Sequence, residues 1–314
     1  MPITFPHFEL RRMLLGLLAG LALLAGPAQA ADKLPVVASF SILGDLVSVV
    51  GGNRVSVSVL VGPDEDAHVF EPRPADAKQI LRSRMLVING LGFEPWAAKL
   101  AKSAGFKGPT VVASAGVRPR AMAEEDGNTE KGHDHDHGHT DPHAWQNPVN
   151  VKQYVRNITA ALSKIDPVGA DSYAANSDAY LKELTDLDNW IGTQFSAVPA
   201  SQRKIITSHD ALGYFAARYR VSVLAAQGVS TESAASAKQI GELIRQIKRE
   251  KMHTVFLESM SETRLITQIG KDAGATVGGT LYTDALSKPD QPGATYLEMM
   301  RQNVTLIVQS MRPQ

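Results

Sequence analysis

The feature that most narrows the possible folds is a regular switch of hydrophobic period, beginning at Leu34. Short apolar runs with the length and β-branched content of buried strands alternate with segments whose apolar residues recur every three or four positions. Leu34–Phe40 (LPVVASF) reads as strand, and Ile42–Val50 as helix with Leu43, Leu46, Val47 and Val50 on one side. Val55–Val61 is strand, Pro74–Arg82 helix, Met85–Ile88 strand, Pro95–Ser103 helix around Trp96 and Leu100, and Pro109–Ala113 strand. Such alternation predicts a parallel sheet with helices on its faces, because neighbouring parallel strands need a long crossover between them.

The alternation stops at Ala115–Thr140, a polar stretch rich in acidic residues and glycine. A loop of that length within a compact domain is usually functional or disordered. Pro148–Ile165 returns to helix. Asp166 suits a cap and Pro167 the first helical position of the next helix. Val168–Phe195 contains no proline, and Leu181, Leu184, Leu187, Trp190 and Ile191 recur at helical spacing. A helix of about 28 residues spans about 42 Å. That is longer than one small domain requires, so it is expected to bridge two lobes. Beyond Pro199 the pattern resumes. Lys204–Thr207, Val221–Ala225, Thr254–Leu257 and Thr276–Leu281 read as strands. Ala211–Tyr219, Ser236–Glu250, Ser261–Ala273 and Pro292–Met311 read as helices. The expected fold class is α/β: two lobes, each a mostly parallel sheet flanked by helices. Residues 31–166 form the first lobe, with a His/Asp-rich loop at 115–140. Residues 167–197 form the bridge and 198–314 the second lobe. No internal repeat is visible in the residues, although the two halves alternate alike.

The N-terminus reads as a signal peptide over residues 1–30. Arg11-Arg12 precedes the apolar run Met13–Gly26, and Ala28-Gln29-Ala30 offers the small residues of a cleavage site. The run is short for a membrane span. Export permits disulfides, but the 314 residues contain no cysteine, so any metal site must use His, Asp or Glu. A lipid-anchored exported protein would need a cysteine at the cleavage point, so the mature protein is expected to be free in the periplasm. Lys+Arg and Asp+Glu both total 32, which gives no reason to expect nucleic acid or an anionic membrane as partner.

Five of the nine histidines fall within Gly132–Trp145, GHDHDHGHTDPHAW. Alternating imidazole and carboxylate favours zinc-like divalent ions. His133, His135, His137 and His139 lie in a polar tract without an apolar residue, which reads as a mobile collector or as a merely solvated loop. His143 differs: Pro142 restricts the backbone and Trp145 supplies an apolar anchor, which suits a fixed ligand.

Three other stretches place a metal-capable residue just after an expected strand, where ligands bind in open α/β sheets. They are Asp66–Pro74 with His68, Thr207–Ala211 with His209, and Leu281–Leu286 with Asp284. Taken singly each is weak. A lone loop histidine is more often an ordinary one, while Asp210 and Asp284 equally suit helix caps or turns. Glu71 reads as a turn residue, His253 as structural, and His7 belongs to the signal peptide.

Together, AHVFEPRPAD, TDPHAWQNP, SHDALGYF and LYTDAL resemble the zinc/manganese substrate-binding proteins of ABC transporters (solute-binding protein family 9, ZnuA/TroA-like). The resemblance covers nearly all of the mature chain. It implies two α/β lobes joined by a rigid linking helix, with the metal in the inter-lobe cleft. The ligands it implies are His68, His143, His209 and Asp284. Manganese-type relatives tend to carry Glu at the position of His209, so the resemblance is to the zinc type. Ala67 stands where some zinc relatives have Glu, and the cysteine pair of others is absent.

The expected function is capture of Zn2+ in the periplasm and its delivery to an ABC-transporter membrane permease for import, without covalent chemistry. A periplasmic zinc metallochaperone is a further partner that the His-rich tract would serve, and the protein is expected to act as a monomer. Manganese or iron binding is the alternative. An exported zinc hydrolase is disfavoured because four protein ligands close the shell and no HExxH or GxSxG motif is present. An adhesin would need a surface that sequence does not reveal.

Overall fold

The structure is a computed structural model, and it describes residues 32–121, 140–232, 234–260 and 263–312. The expected signal peptide and the tract His133–His139 lie outside these residues. The first lobe contains β1 (Leu34–Phe40), α1 (Ser41–Gly51), β2 (Val55–Val61), α2 (Pro74–Arg82), β3 (Met85–Ile88), α3 (Pro95–Ser103) and β4 (Thr110–Val112). Its strands are all parallel, in the order β2-β1-β3-β4. A short antiparallel ribbon, β5 (Arg120–Ala121) with β6 (Thr140–Asp141), frames the polar stretch and was not expected from the sequence. Two residues a side are too few to produce a period-2 signal.

After α4 (Pro148–Ile165) and α5 (Ala170–Ser196) comes the second lobe. It contains β7 (Lys204–His209), α6 (Gly213–Tyr219), β8 (Ser222–Gln227), α7 (Ala237–Glu250), β9 (Thr254–Glu258), α8 (Thr263–Ala273), β10 (Thr276–Leu281) and α9 (Tyr296–Met311). Its strands are parallel too, in the order β8-β7-β9-β10. In both sheets, therefore, the second strand of the lobe is followed by the first, the third and the fourth.

This shared order reveals a repeat that the residues alone hid. Aligning the carboxyl ends of β1 and β7, Phe40 with His209, pairs Val36–Leu46 with Ile205–Phe215 and matches Ser39 with Ser208, Leu43 with Leu212, and Gly44 with Gly213. Three scattered identities are too few to register without the topology. In this alignment Phe40 of the first lobe corresponds to His209 of the second.

α5 has 27 residues, about 40 Å. Tyr173, Ser177, Tyr180, Leu184, Leu187, Ile191 and Phe195 fall every three or four positions and form its buried face. The helix starts later than the sequence suggests, after a 3-10 turn at Pro167–Gly169. Asp166 does not cap it. Its carboxylate instead accepts hydrogen bonds from Arg54 Nε at 2.9 Å and from the Tyr173 hydroxyl at 2.6 Å, fastening the start of α5 to the first lobe. In the middle of α5, Asp188 accepts from Arg218 Nη2 at 2.6 Å and from the Tyr219 hydroxyl at 2.8 Å, which fastens it to the second lobe. Arg301 of α9 lies 5.1 Å over the ring of Trp190.

One apolar cluster runs through both lobes, from Val36 and Leu86 across Trp145, Leu184 and Phe195 to Phe256, Met299 and Val304. A smaller one, around Ile206, Ile247, Val255 and Ile266, lies under α7 and α8. The described residues from Leu34 onward form one compact unit. No helix among the described residues is long and apolar enough to cross a membrane.

Candidate metal centre

The structure brings four of the sequence-predicted residues together. His68, His143, His209 and Asp284 each present one donor atom, all lie within 4.8 Å of one another, and all four are buried. His68 Nε2 lies 3.3 Å from His143 Nε2 and 3.1 Å from Asp284 Oδ2. His209 Nε2 lies 3.0 Å from Asp284 Oδ2, and His143 Nε2 3.5 Å from Asp284 Oδ1. His133, His135, His137 and His139 lie outside the described residues. His253 is exposed at the far end of β9 from this cluster, and Glu71 is exposed.

Each donor is delivered by a different local device. His68 sits in the irregular segment between β2 and α2, where Asp66 Oδ1 accepts its backbone N–H at 2.9 Å and Trp96 Nε1 donates to Ala67 O at 2.9 Å. His143 follows β6, and Asp141 Oδ1 accepts both its backbone N–H at 3.0 Å and its Nδ1–H at 2.9 Å. The second oxygen of Asp141 accepts from Arg120 Nη1 at 3.2 Å. A Cβ on Gly213 would fall 2.3 Å from Arg120 Nη1 and 2.4 Å from Asp141 Oδ2, so only glycine lets α6 approach this pair.

His209 does not follow its strand but ends it. β7 continues two residues past the expected Thr207, because His209 still pairs with Gln227 of β8. The next helix starts at Gly213 with Leu212 as its N-cap, so Asp210 is not a helix cap. Asp284 lies in the turn after β10, whose backbone is stitched to the other lobe: Trp145 Nε1 and Gln146 Nε2 donate to Thr283 O at 2.8 and 2.6 Å.

Sequence reasoning missed Glu258. It ends β9 and is 1% exposed. Its Oε1 accepts the backbone N–H groups of Ser208 and His209 at 2.7 and 2.9 Å, and its Oε2 accepts the Thr283 hydroxyl at 2.8 Å. Oε2 also lies 2.5 Å from His209 Nδ1, although that contact is not aligned as a hydrogen bond. The rule that singles out His209, a metal-capable residue at the carboxyl end of a strand, also fits Glu258. Asp141 was within reach as well, two residues before His143 in the same motif.

The electrostatics follow from this burial. Burial alone would lower the pKa of His143, but Asp284 and Asp141 outweigh it and carry it up to about 9. Burial likewise opposes charge on His209, and Glu258 and Asp284 overcome it, so its pKa lies well above the ordinary histidine value. Burial would raise Asp284, but the imidazolium charges of His143 and His209 hold it well below the carboxylate range. Without an ion, protons thus play the part of counter-charge. Asp284 Oδ1 is nevertheless buried with no hydrogen-bond partner. An orphaned carboxylate oxygen facing three convergent imidazoles costs free energy unless a cation completes the set. A carboxylate bonded to Nδ1 of His143, and another facing Nδ1 of His209, would leave both Nε2 lone pairs to coordinate once those nitrogens shed their protons, the usual outer arrangement of a metal site.

Comparison with known proteins gives a consistent picture. Residues 36–310 match the family profile described as zinc-uptake complex component A, periplasmic (ZnuA). The manganese-binding lipoprotein MntA of Halalkalibacterium halodurans is 31% identical over 90% of this chain and 90% of its own length. The iron-binding protein YfeA of Yersinia pestis is 30% identical over 90% of this chain and 87% of its own. Among solved structures, a manganese-bound variant of the periplasmic metal binding protein of Candidatus Liberibacter asiaticus aligns with a TM-score of 0.79 at 30% identity, over 89% of this chain and all of that one.

Proposed function

The chain belongs to the family of periplasmic zinc-uptake component A, metal-binding proteins that serve ABC transporters, and from that premise we propose that it captures Zn2+ at His68, His143, His209 and Asp284 and delivers it to a membrane permease for import. The observation that carries this reading is the donor set: three imidazole nitrogens and one carboxylate oxygen, buried and within 4.8 Å of each other. Three nitrogens and one oxygen suit tetrahedral zinc, whereas manganese favours more oxygen and higher coordination. The names of the manganese- and iron-binding relatives favour a second reading, in which the cargo is manganese or iron. Competitive titration with elemental analysis separates the two. From an equimolar zinc and manganese mixture, the wild type is expected to retain about one zinc per chain, and His209→Glu to shift toward manganese. Wild-type protein that retains manganese instead overturns the zinc reading.

Binding must displace the site's protons. His143 titrates at about 9 in the metal-free protein, and His209 is also raised. About two protons should therefore leave per ion at pH 7. Calorimetry in buffers of different ionisation enthalpy counts them. The sign for stability follows from the raised pKa: protonated His143 contributes fully below its unfolded value near 6.5, and this contribution is lost as pH rises through about 9. Over the same interval the ion faces less proton competition. The zinc-induced rise in melting temperature should therefore be larger at pH 9 than at pH 6, and an equal rise at both contradicts this account.

We also propose that the protein acts as a monomer free in the periplasm, with its signal peptide removed. The leader-like sequence and the absence of cysteine support the free periplasmic state, which cell fractionation tests, while gel filtration tests the monomer. The tract His133–His139 would act as an auxiliary collector that exchanges with an accessory metallochaperone. Deleting residues 124–139 should lower total zinc stoichiometry but leave one tight site. Loss of the tight site refutes that division of labour.

A further inference from the structure

The four donors are not held equally. His143, His209 and Asp284 are 0% exposed, whereas His68 is 7% exposed and is the one donor that reaches the surface. Buried carboxylates face Nδ1 of His143 and of His209. Among the described residues no carboxylate holds Nδ1 of His68, whose ring rests edge-on against Phe93 with centroids 4.8 Å apart. His143 and His209 are placed next to or within strands. His68 lies in a segment, residues 62–73, that has no helix or strand. Its placement therefore depends on how that segment is tethered.

Two hydrogen bonds tie this segment to the second lobe: the Asp64 N–H donates to Leu286 O at 3.0 Å, and the side chain of Asp66, two residues before His68, makes the other. Asp66 uses one oxygen to accept the backbone N–H of His68 at 2.9 Å. With the other it accepts the Thr231 hydroxyl at 2.7 Å, across the cleft on the second lobe. A cavity of about 370 Å³ opens here, lined by Asp66, Val69, Ser208, Thr231, Glu232 and Met260 among others. It has room for a hydrated ion, and its charged lining residues are acidic. Phe40, Phe93 and Trp145 pack tilted or edge-on against one another, and Phe93 and Trp145 lie edge-on beside the His143 ring.

We infer that the ion enters and leaves past His68, and that Asp66 is the positioning residue that times this exchange through its hydrogen bond to Thr231 across the cleft. The inference rests on the reading that the tetrad holds the ion. Breaking the Asp66–Thr231 bond removes the cross-cleft tie nearest His68 without removing any donor, so it speeds passage in both directions. A hydrogen bond to a charged group has a strength that corresponds to roughly a tenfold change in rate.

The test is stopped-flow zinc exchange on the full-length protein, using a chromogenic chelator for release and zinc addition for capture. Thr231→Val is compared with Thr231→Ser, which keeps the hydroxyl. Thr231→Val is expected to raise release and capture rates about tenfold each, with Kd within about threefold of wild type, and Thr231→Ser to stay within about twofold on all three. Three results overturn the inference: an unchanged release rate in Thr231→Val, faster release without faster capture, or an equal effect of the two variants. A wild-type protein that fails to retain zinc on gel filtration would instead strike at the functional reading, so the two failures are distinguishable.

Discussion

Asp284→Asn is expected to abolish tight zinc retention while leaving the fold in place. The side chain keeps its volume, but the anionic donor is gone. Structural zinc sites yield about 10–16 kcal/mol over four ligands, so one ligand carries roughly 3 kcal/mol, on the order of a hundredfold to a thousandfold in Kd. The loss should lie at the upper end, because Asp284 is the anion that touches all three imidazoles, at 3.0 Å from His209, 3.1 Å from His68 and 3.5 Å from His143. The same substitution removes the charge that raises His143. Its imidazole should then titrate at lower pH in the metal-free variant, which NMR can follow. Calorimetry reads the affinity and near-UV circular dichroism the fold. Retention within about tenfold of wild type means that Asp284 is not a ligand.

The second large effect concerns a residue that touches no ion. In Glu258→Gln the amide oxygen can still accept the backbone N–H groups of Ser208 and His209, which lie 2.7 and 2.9 Å from Oε1. The amide NH2 then replaces Oε2 facing His209 Nδ1, where the two atoms lie 2.5 Å apart in the wild type. A donor there requires Nδ1 to accept, which moves the ring proton to Nε2 and blocks the atom that should coordinate. Affinity should fall about 10- to 100-fold, as for other outer partners of metal-bound histidines, with little change in melting temperature. Glu258→Leu is the contrasting variant. It leaves two buried N–H groups without partners, at about 1–3 kcal/mol each, so it should destabilise the metal-free protein outright. If Glu258→Gln binds zinc as tightly as the wild type, the proton on His209 is not set by Glu258.

How much of this was legible in the sequence depends on which signals are local. Most strands and helices of the two four-stranded sheets and their flanking layers were, because each carries its own hydrophobic period and its own punctuation. Pro74 and Pro95 open α2 and α3, while Asn147 accepts the Val149 N–H and Ser236 the Gln239 N–H at the starts of α4 and α7. The loops that carry His68, His143, His209 and Asp284 were legible too, partly from their place after strands and partly from family resemblance. Convergence of these residues from 216 positions apart is a property of the topology and left no local trace. The same applies to Glu258, whose partners come from β7 and from the turn after β10. The start of α5 was misjudged for a different reason. Asp-Pro is a good local cap, but Asp166 finds stronger partners in Arg54 and Tyr173, far from it in sequence or about two turns ahead. The repeated strand order escaped because the two copies have been put to different use. Phe40 packs 5.0 Å from Trp145 in the wall of the cleft, where its counterpart His209 faces the site.

The apolar body that runs unbroken from Val36 to Val304 fixes when entropy is lost. Had the halves been free to swing, each arriving ion would have had to freeze that motion, and its affinity would have been reduced accordingly. Here the freezing is done during folding, by hydrocarbon rather than by the cargo. In the proposed role the ion would meet a cage already assembled, with the displacement of the site's protons as the main term set against its coordination energy.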